Sequence, residues 1–170
     1  MNSIRRAASV LTLVAMTLPI TLASAGAAEI KVTLLGTGSP VPSPNRFSQS
    51  TLVEAGDQTL VFDMGRGVSI RLAQLGIPLG SVDAHFVTHL HSDHLDGLTD
   101  LWGTGWLPTP FGSRTSPMVI YGPEGTVPLT SHLTEAFAAD ISIRLADEKL
   151  PPAGIAFDAH DVGPGIVYEG

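Results

Sequence analysis

The sequence predicts a single α+β domain, and three observations lead to that class. The 170 residues give the chain the length of one domain. Hydrophobic residues make up 44% and charged residues 15%, a composition typical of a chain with a buried core. Segments with alternating apolar residues, which indicate strands, are interspersed with segments whose apolar residues have helical spacing.

The first half of the chain predicts three strands and then a helix. Two alternating segments flank a short Gly-containing link, which indicates a β-hairpin. The segment after them has apolar residues at helical spacing and ends at a glycine, as helices often do. The predicted elements are a strand at 29–35, hairpin strands at 50–54 and 58–63, and a helix at 68–75.

The second half predicts two further strands and a long helix. The predicted elements are strands at 83–88 and 118–121, a helix at 127–140 and an extended piece at 141–145. Between the two strands, Trp102, Trp106 and Phe111 lie in a stretch rich in Gly and Pro. These aromatic residues either form a wall of a pocket or pack in the core.

The densest chemical motif is His89-Leu90-His91-Ser92-Asp93-His94, between a predicted strand and a predicted helix start. Side chains two positions apart in extended backbone point the same way, so His89 and His91 can converge on one ion. A turn near Ser92 can direct Asp93 and His94 to a second ion. Imidazole and carboxylate groups are zinc ligands, and two ions about 3.5–4 Å apart can clamp an anionic ester. The alternative is a His-rich surface loop without metal.

The motif and three other segments resemble the metallo-β-lactamase superfamily, and within it the ribonuclease Z and arylsulfatase-like branch. The pattern His-x-His-x-Asp-His after an apolar strand is typical of the superfamily. The branch is indicated by Leu34-Leu35-Gly36-Thr37-Gly38-Ser39-Pro40, by Ser50-Thr51-Leu52-Val53-Glu54 and by Phe62-Asp63-Met64-Gly65-Arg66-Gly67.

The resemblance implies a four-layer αββα sandwich, of which residues 29–170 would supply the first half and a little more. It implies two zinc ions in the intact protein, the first held by His89 and His91 and the second by Asp93 and His94. Asp93 is the expected catalytic residue, orienting a hydroxide or moving its proton. Asp63 is expected to support the metal loop by hydrogen bonds, with a helix N-cap as the alternative role.

The activity that the resemblance implies is zinc-dependent hydrolysis of an anionic ester by a metal-bound hydroxide, in arylsulfatase-like or phosphodiesterase-like chemistry. The alternatives are a ribonuclease Z-type endonuclease that processes tRNA 3′ ends, a β-lactamase or lactonase, and a non-catalytic metal-binding fragment. His160 is weighed as a third ligand and set aside, because its surroundings resemble the segment before the next ligand. Later ligands are expected beyond Gly170, so the chain as given is expected to be incomplete and weakly active or inactive.

Residues 1–28 predict a cleaved export signal. Arg5 and Arg6 precede an apolar run, and small residues between Ala23 and Ala27 offer cleavage sites. The alternative is a membrane anchor. The mature protein is expected in the periplasm or secreted, without a membrane span. The chain has no Cys, which excludes disulfides and thiolate zinc ligands.

The charge balance sets the expectation for partners. After residue 28, seven basic residues face sixteen acidic ones, which gives a net charge of −9. That balance is a poor electrostatic footprint for nucleic acid. The expected partner is therefore a small-molecule anionic ester as substrate; nucleic acid is not the expected partner, and a homo-oligomer is left open.

Overall fold

One six-stranded sheet organises the chain, and each strand pairs with the next strand in sequence. The computed structural model describes residues 29–108 and 110–170, so the predicted export signal lies outside the described residues. The strands are β1 (Ile30–Gly36), β2 (Ser50–Ala55), β3 (Gln58–Phe62), β4 (Ala84–Phe86), β5 (Met118–Gly122) and β6 (Phe157–Asp161). Strands β1 to β3 are antiparallel, whereas β3 to β6 run parallel to one another.

Helices connect the parallel strands, which need crossovers rather than tight turns. The helices are α1 (Val68–Gln74), α2 (Leu98–Trp106), α3 (Thr126–Ala136) and α4 (Ala138–Asp147). Helix α1 lies between β3 and β4, α2 between β4 and β5, and α3 and α4 between β5 and β6. In the described part of the chain, no helix is long and apolar enough to cross a membrane.

The core lies between the helices and one face of the sheet. Leu52 and Val61 are paired on that face, Ile120 lies in the same row through His85, and all three apolar residues are fully buried. Trp102 and Trp106 on α2 are also buried, and their indole N–H groups donate to the carbonyls of residues 155 and 151, each at 2.9 Å. Both tryptophans therefore pack in the core, as one of the two interpretations expected, whereas Phe111 is 55% exposed.

The opposite face of the sheet carries a row of stacked rings. The centroid separations are 4.6 Å for Phe62–Phe86, 5.5 Å for Phe86–Tyr121 and 4.8 Å for Tyr121–His160. Tyr168, in the segment after β6, packs edge-on against this row. At the outer strand β1, the same face presents apolar side chains with exposed fractions of 59% to 67%. These exposed residues are Ile30, Val32 and Leu34.

The predicted extended piece at 141–145 is wrong, because these residues form the centre of α4. The Arg144 side chain pairs with Asp140 and Glu148, four positions away on either side, and such pairs stabilise a helix. The predicted helix at 127–140 is divided, since α3 ends at Ala136 and α4 begins at Ala138. The other predicted strands and helices are present, although β4 is limited to three residues.

Candidate metal centre

The candidate ligands lie on the connection from β4 to α2, immediately beyond the carboxyl end of a central parallel strand. The chain bends at Thr88, is extended at His91 and then forms a 3-10 turn at Ser92–His94. The change from extended to turn backbone occurs at Ser92, where the spacing of the motif requires it. Asp93 is buried within the turn, with an exposed fraction of 6%.

The three imidazoles of the motif contact one another. The ring of His89 lies between the other two, with centroid distances of 4.6 Å to His91 and 4.0 Å to His94. Nε2 of His89 is 3.0 Å from Nδ1 of His91, and Nε2 of His94 is 3.7 Å from a carboxylate oxygen of Asp93. In residues 29–108 and 110–170, no three His, Cys, Asp or Glu side chains are arranged to hold a metal ion. The four ligand assignments stay predictions.

Asp63 lies beneath this loop and is almost fully buried. Its carboxylate accepts a hydrogen bond from the Thr88 N–H at 2.9 Å and from the Thr88 hydroxyl at 2.9 Å. The same carboxylate accepts a bond from Nδ1–H of His94 at 2.7 Å. Helix α1 begins after Gly67, without a side-chain cap. The alternative role of Asp63 as the N-cap of α1 is therefore wrong.

Thr88 is a residue of this site that the sequence motif alone did not identify. Its hydroxyl donates to Asp63 and lies 3.1 Å from Nδ1 of His89. A hydroxyl that gives its proton to a carboxylate can accept from a ring N–H, so Thr88 orients the His89 ring as well. The sequence feature that could have identified Thr88 is a hydroxyl residue directly before the first His of the motif.

The side chains at this turn are of the types that bind zinc, but each pair of them is smaller than a complete set of ligands. Asp63 occupies Nδ1 of His94, which leaves Nε2 of that ring free to bind a metal, and this carboxylate–histidine contact is typical of zinc sites. Asp93 and His94 form one adjacent donor pair, and His89 and His91 form another. A catalytic zinc normally has three protein ligands, so each pair supplies part of a set.

Two further histidines have other surroundings. His85 on β4 is buried, and Nδ1 lies 3.0 Å from the carbonyl oxygen of Val119. Burial lowers the pKa of His85 to about 4; the bond to Val119 opposes this shift and the charge of Arg114 adds to it. His160 on β6 stacks on Tyr121 and pairs with Asp158 at 3.0 Å.

The sheet with helices on one face and the ligand-rich turn after β4 define the class: the chain has the metallo-β-lactamase fold. The metallo-β-lactamase fold protein YhfI from Bacillus subtilis superposes with a TM-score of 0.50 and 28% identity, over 61% of this chain and 40% of that one. A family model described as "Anti-Pycsar protein Apyc1" matches residues 30–124, which is more than half of the chain. The chain belongs to this family. The predicted superfamily and fold class are confirmed.

Two relatives are named for RNA processing. Ribonuclease Z from Mycobacterium marinum is 41% identical over 143 residues, which cover 82% of this chain and 50% of the relative. The crystal structure of human tRNase Z, short form, superposes with a TM-score of 0.59 and 28% identity, over 76% of this chain and 44% of that one. The chain thus spans about half the length of the curated relatives that it matches.

The expectation that nucleic acid is not a partner is wrong, because these relatives are named for RNA. The physical reason is that a net charge averages over the whole surface and does not locate the positive residues. Two arginines illustrate this, one next to Phe47 in the chain and one over its ring. Arg46 precedes it in the chain, and the guanidinium of Arg71 lies 4.8 Å from its ring centroid.

Proposed function

We propose that this chain is part of a zinc-dependent phosphodiesterase that hydrolyses RNA, as a ribonuclease Z-type enzyme does. The observation that carries the proposal is the contact between Asp63 and Nδ1 of His94 at 2.7 Å. That contact leaves Nε2 of His94 facing Asp93, 3.7 Å from a carboxylate oxygen, and this supports the proposal of a metal at the turn. The names of the two relatives support RNA as the substrate class, and neither name refers to a sulfate ester.

Each residue of the site has a separate task in this proposal. His89, His91, Asp93 and His94 would hold zinc, and Asp63 with Thr88 would keep the His89 and His94 rings in position. Bound zinc supplies Lewis acidity and lowers the pKa of water to about 7. Asp93 is buried beside His94, so its carboxylate is placed to accept or release a proton at that point.

Activity can be tested in a chimera that joins residues 29–170 to the second half of the Mycobacterium marinum ribonuclease Z. We expect the chimera to cleave a 3′-extended tRNA precursor and a chromogenic phosphodiester, but not a chromogenic sulfate. His91→Ala should remove this activity, and His132→Ala, on the exposed side of α3, should not. Hydrolysis of the sulfate alone would favour the arylsulfatase-like alternative, and equal cleavage by the His91→Ala chimera would exclude the metal assignment.

We also propose that the chain is exported and cleaved between Ala25 and Glu29. The support is the basic start, the apolar run and the small residues of the sequence. N-terminal sequencing of the protein from the periplasm or medium should show a new N-terminus in this interval. A cytoplasmic protein that retains Met1 would contradict export and would place the activity with tRNA precursors inside the cell.

A further inference from the structure

The turn that carries Asp93 and His94 is fastened to the loop between β3 and α1. The Met64 N–H donates to the carbonyl of His94 at 2.8 Å, and the Gly97 N–H donates to the carbonyl of Met64, also at 2.8 Å. Met64 of the loop is therefore hydrogen-bonded to the main chain of His94, at the end of the turn, and to that of Gly97, just beyond it.

Two glycines allow these segments to touch. A Cβ atom at Gly65 would lie 2.5 Å from the carbonyl oxygen of Asp93, and one at Gly97 would lie 2.5 Å from the carbonyl oxygen of Gly65. Both distances are well inside van der Waals contact. The loop and the turn consequently form one packed unit, and any movement of the loop is transmitted to the backbone of the ligand residues.

An ion pair spans this packed unit at its surface. Nη2 of Arg66, on the loop, is 2.6 Å from Oδ2 of Asp96, two residues after His94. The side chains are 45% and 31% exposed, so water screens the pair only in part. Arg66 also accepts a bond from the Ser48 N–H at its carbonyl oxygen, which anchors its backbone to the segment before β2. The guanidinium thus extends from an anchored backbone.

We propose that Arg66 is a positioning residue, which acts through Asp96 to hold the turn of Asp93 and His94 against the β3–α1 loop. The expected effect of Arg66 on zinc binding rests on the proposed function, whereas the fastening of the turn to the β3–α1 loop does not. Without the ion pair, the two backbone bonds at Met64 open more often, and the donor atoms of Asp93 and His94 spend more time apart.

The fastening can be measured in the metal-free chain by amide hydrogen exchange at Met64 and Gly97. Arg66→Ala should speed exchange at these two amides about fivefold, the upper range for a partly exposed ion pair. Arg66→Lys and the exchanged pair Arg66→Asp with Asp96→Arg should restore most of the protection. Arg144→Ala, which removes two ion pairs at α4, is the control and should leave both amides unchanged.

Unchanged exchange at Met64 and Gly97 in Arg66→Ala would overturn the proposal. If Arg66→Ala loses protection throughout the sheet, the exchanged pair decides: restored protection supports the ion pair, and continued loss overturns it.

The second measurement is zinc affinity by competition with a chromogenic chelator. Arg66→Ala should bind zinc about fivefold more weakly than the wild type, and Arg66→Lys should bind nearly as well. Faster exchange in Arg66→Ala with unchanged zinc affinity would overturn its role in positioning the ligands. If the chimera of residues 29–170 with the second half of the Mycobacterium marinum ribonuclease Z takes up no zinc, while Arg66→Ala still exchanges faster in the metal-free chain, the proposed function fails and the fastening stands.

Discussion

At the scale of single residues, Asp63 joins the sheet to the candidate metal centre. Its backbone has a φ angle of 60°, in the left-handed region that Asp and Asn tolerate better than most residues. Its N–H donates to the carbonyl of Phe86 at 2.7 Å, and its carboxylate contacts Thr88 and His94. The residue therefore needs both an unusual backbone conformation and an acceptor side chain.

The Asp63→Asn substitution separates these two needs. Asn tolerates the backbone angle, but its amide lacks one of the two acceptor oxygens that Thr88 and His94 share. We expect little change in melting temperature and about a tenfold loss of zinc affinity, as for other partners of metal-bound His. Asp83→Asn is the control, since Asp83 also accepts a backbone bond, from Thr59 at 2.7 Å. Equal zinc affinity in the Asp63 and Asp83 variants would contradict the role of Asp63.

The lowered pKa of His85 leads us to expect that the folded chain loses stability in acid. Its pKa is about 4 in the folded chain, where burial disfavours the charge, against 6.5 as the ordinary value. Between these values the unfolded chain binds more protons, so the free energy of unfolding falls as the pH drops from 6.5 toward 4. From pH 7 to pH 4.5, His85 should contribute about 2 kcal/mol of this loss.

Urea denaturation of the wild type and His85→Gln at both pH values measures the His85 contribution. The variant should lose about 2 kcal/mol less than the wild type over this interval, since its side chain does not titrate. The control is His132→Gln, which removes an exposed histidine of α3 and should follow the wild-type pH dependence. Identical losses in His85→Gln and the wild type would show that His85 does not control this transition.

At the scale of elements, local pattern predicted most strands and helices but misassigned α4. Ile141, Ile143 and Leu145 alternate, which favours a strand over a window of five residues. In the helix Ile141 and Leu145, four positions apart, pack against the core, and Arg144 pairs with Asp140 and Glu148 outside that window. The site could likewise be predicted only in part. The density of ligands identified the turn. The bonds from Thr88 to Asp63 could not be predicted locally, because they join residues 25 positions apart and depend on β3 lying next to β4.

The exposed apolar side chains of strand β1 lead to a prediction about the solubility of the chain. Val32 and Leu34 are 59% and 65% exposed on an outer strand of the sheet, where such residues promote pairing between chains. Val32→Thr with Leu34→Thr should raise solubility, measured by light scattering, and change the free energy of unfolding by only about 0.5 kcal/mol. Leu52→Ala, on the buried face, should cost about 3 kcal/mol. A comparable loss in the double Thr variant would mean that β1 is covered in solution.

At the scale of the whole molecule, the described residues offer two donors for each expected ion. Because a catalytic zinc normally has three protein ligands, we expect the 170-residue chain to bind zinc weakly and to hydrolyse esters slowly or not at all. Isothermal titration with zinc and a chromogenic phosphodiester assay measure both properties. The His91→Ala variant sets the background, and His160→Ala tests whether that residue adds a ligand. Two tightly held ions and rapid turnover in the wild type would contradict the expectation.

The strand order of the sheet bears on how the protein is assembled. Because each strand from β2 to β6 lies beside the one that precedes it in sequence, a strand that emerges always finds its neighbour already in place. Among the described strands no gap has to be kept open for a later one, and the longest link between neighbours is the 34 residues (123–156) between β5 and β6. The sheet can therefore be built in the order of synthesis, with β1 as a constant outer edge and the newest strand as the other edge available for mispairing with another chain.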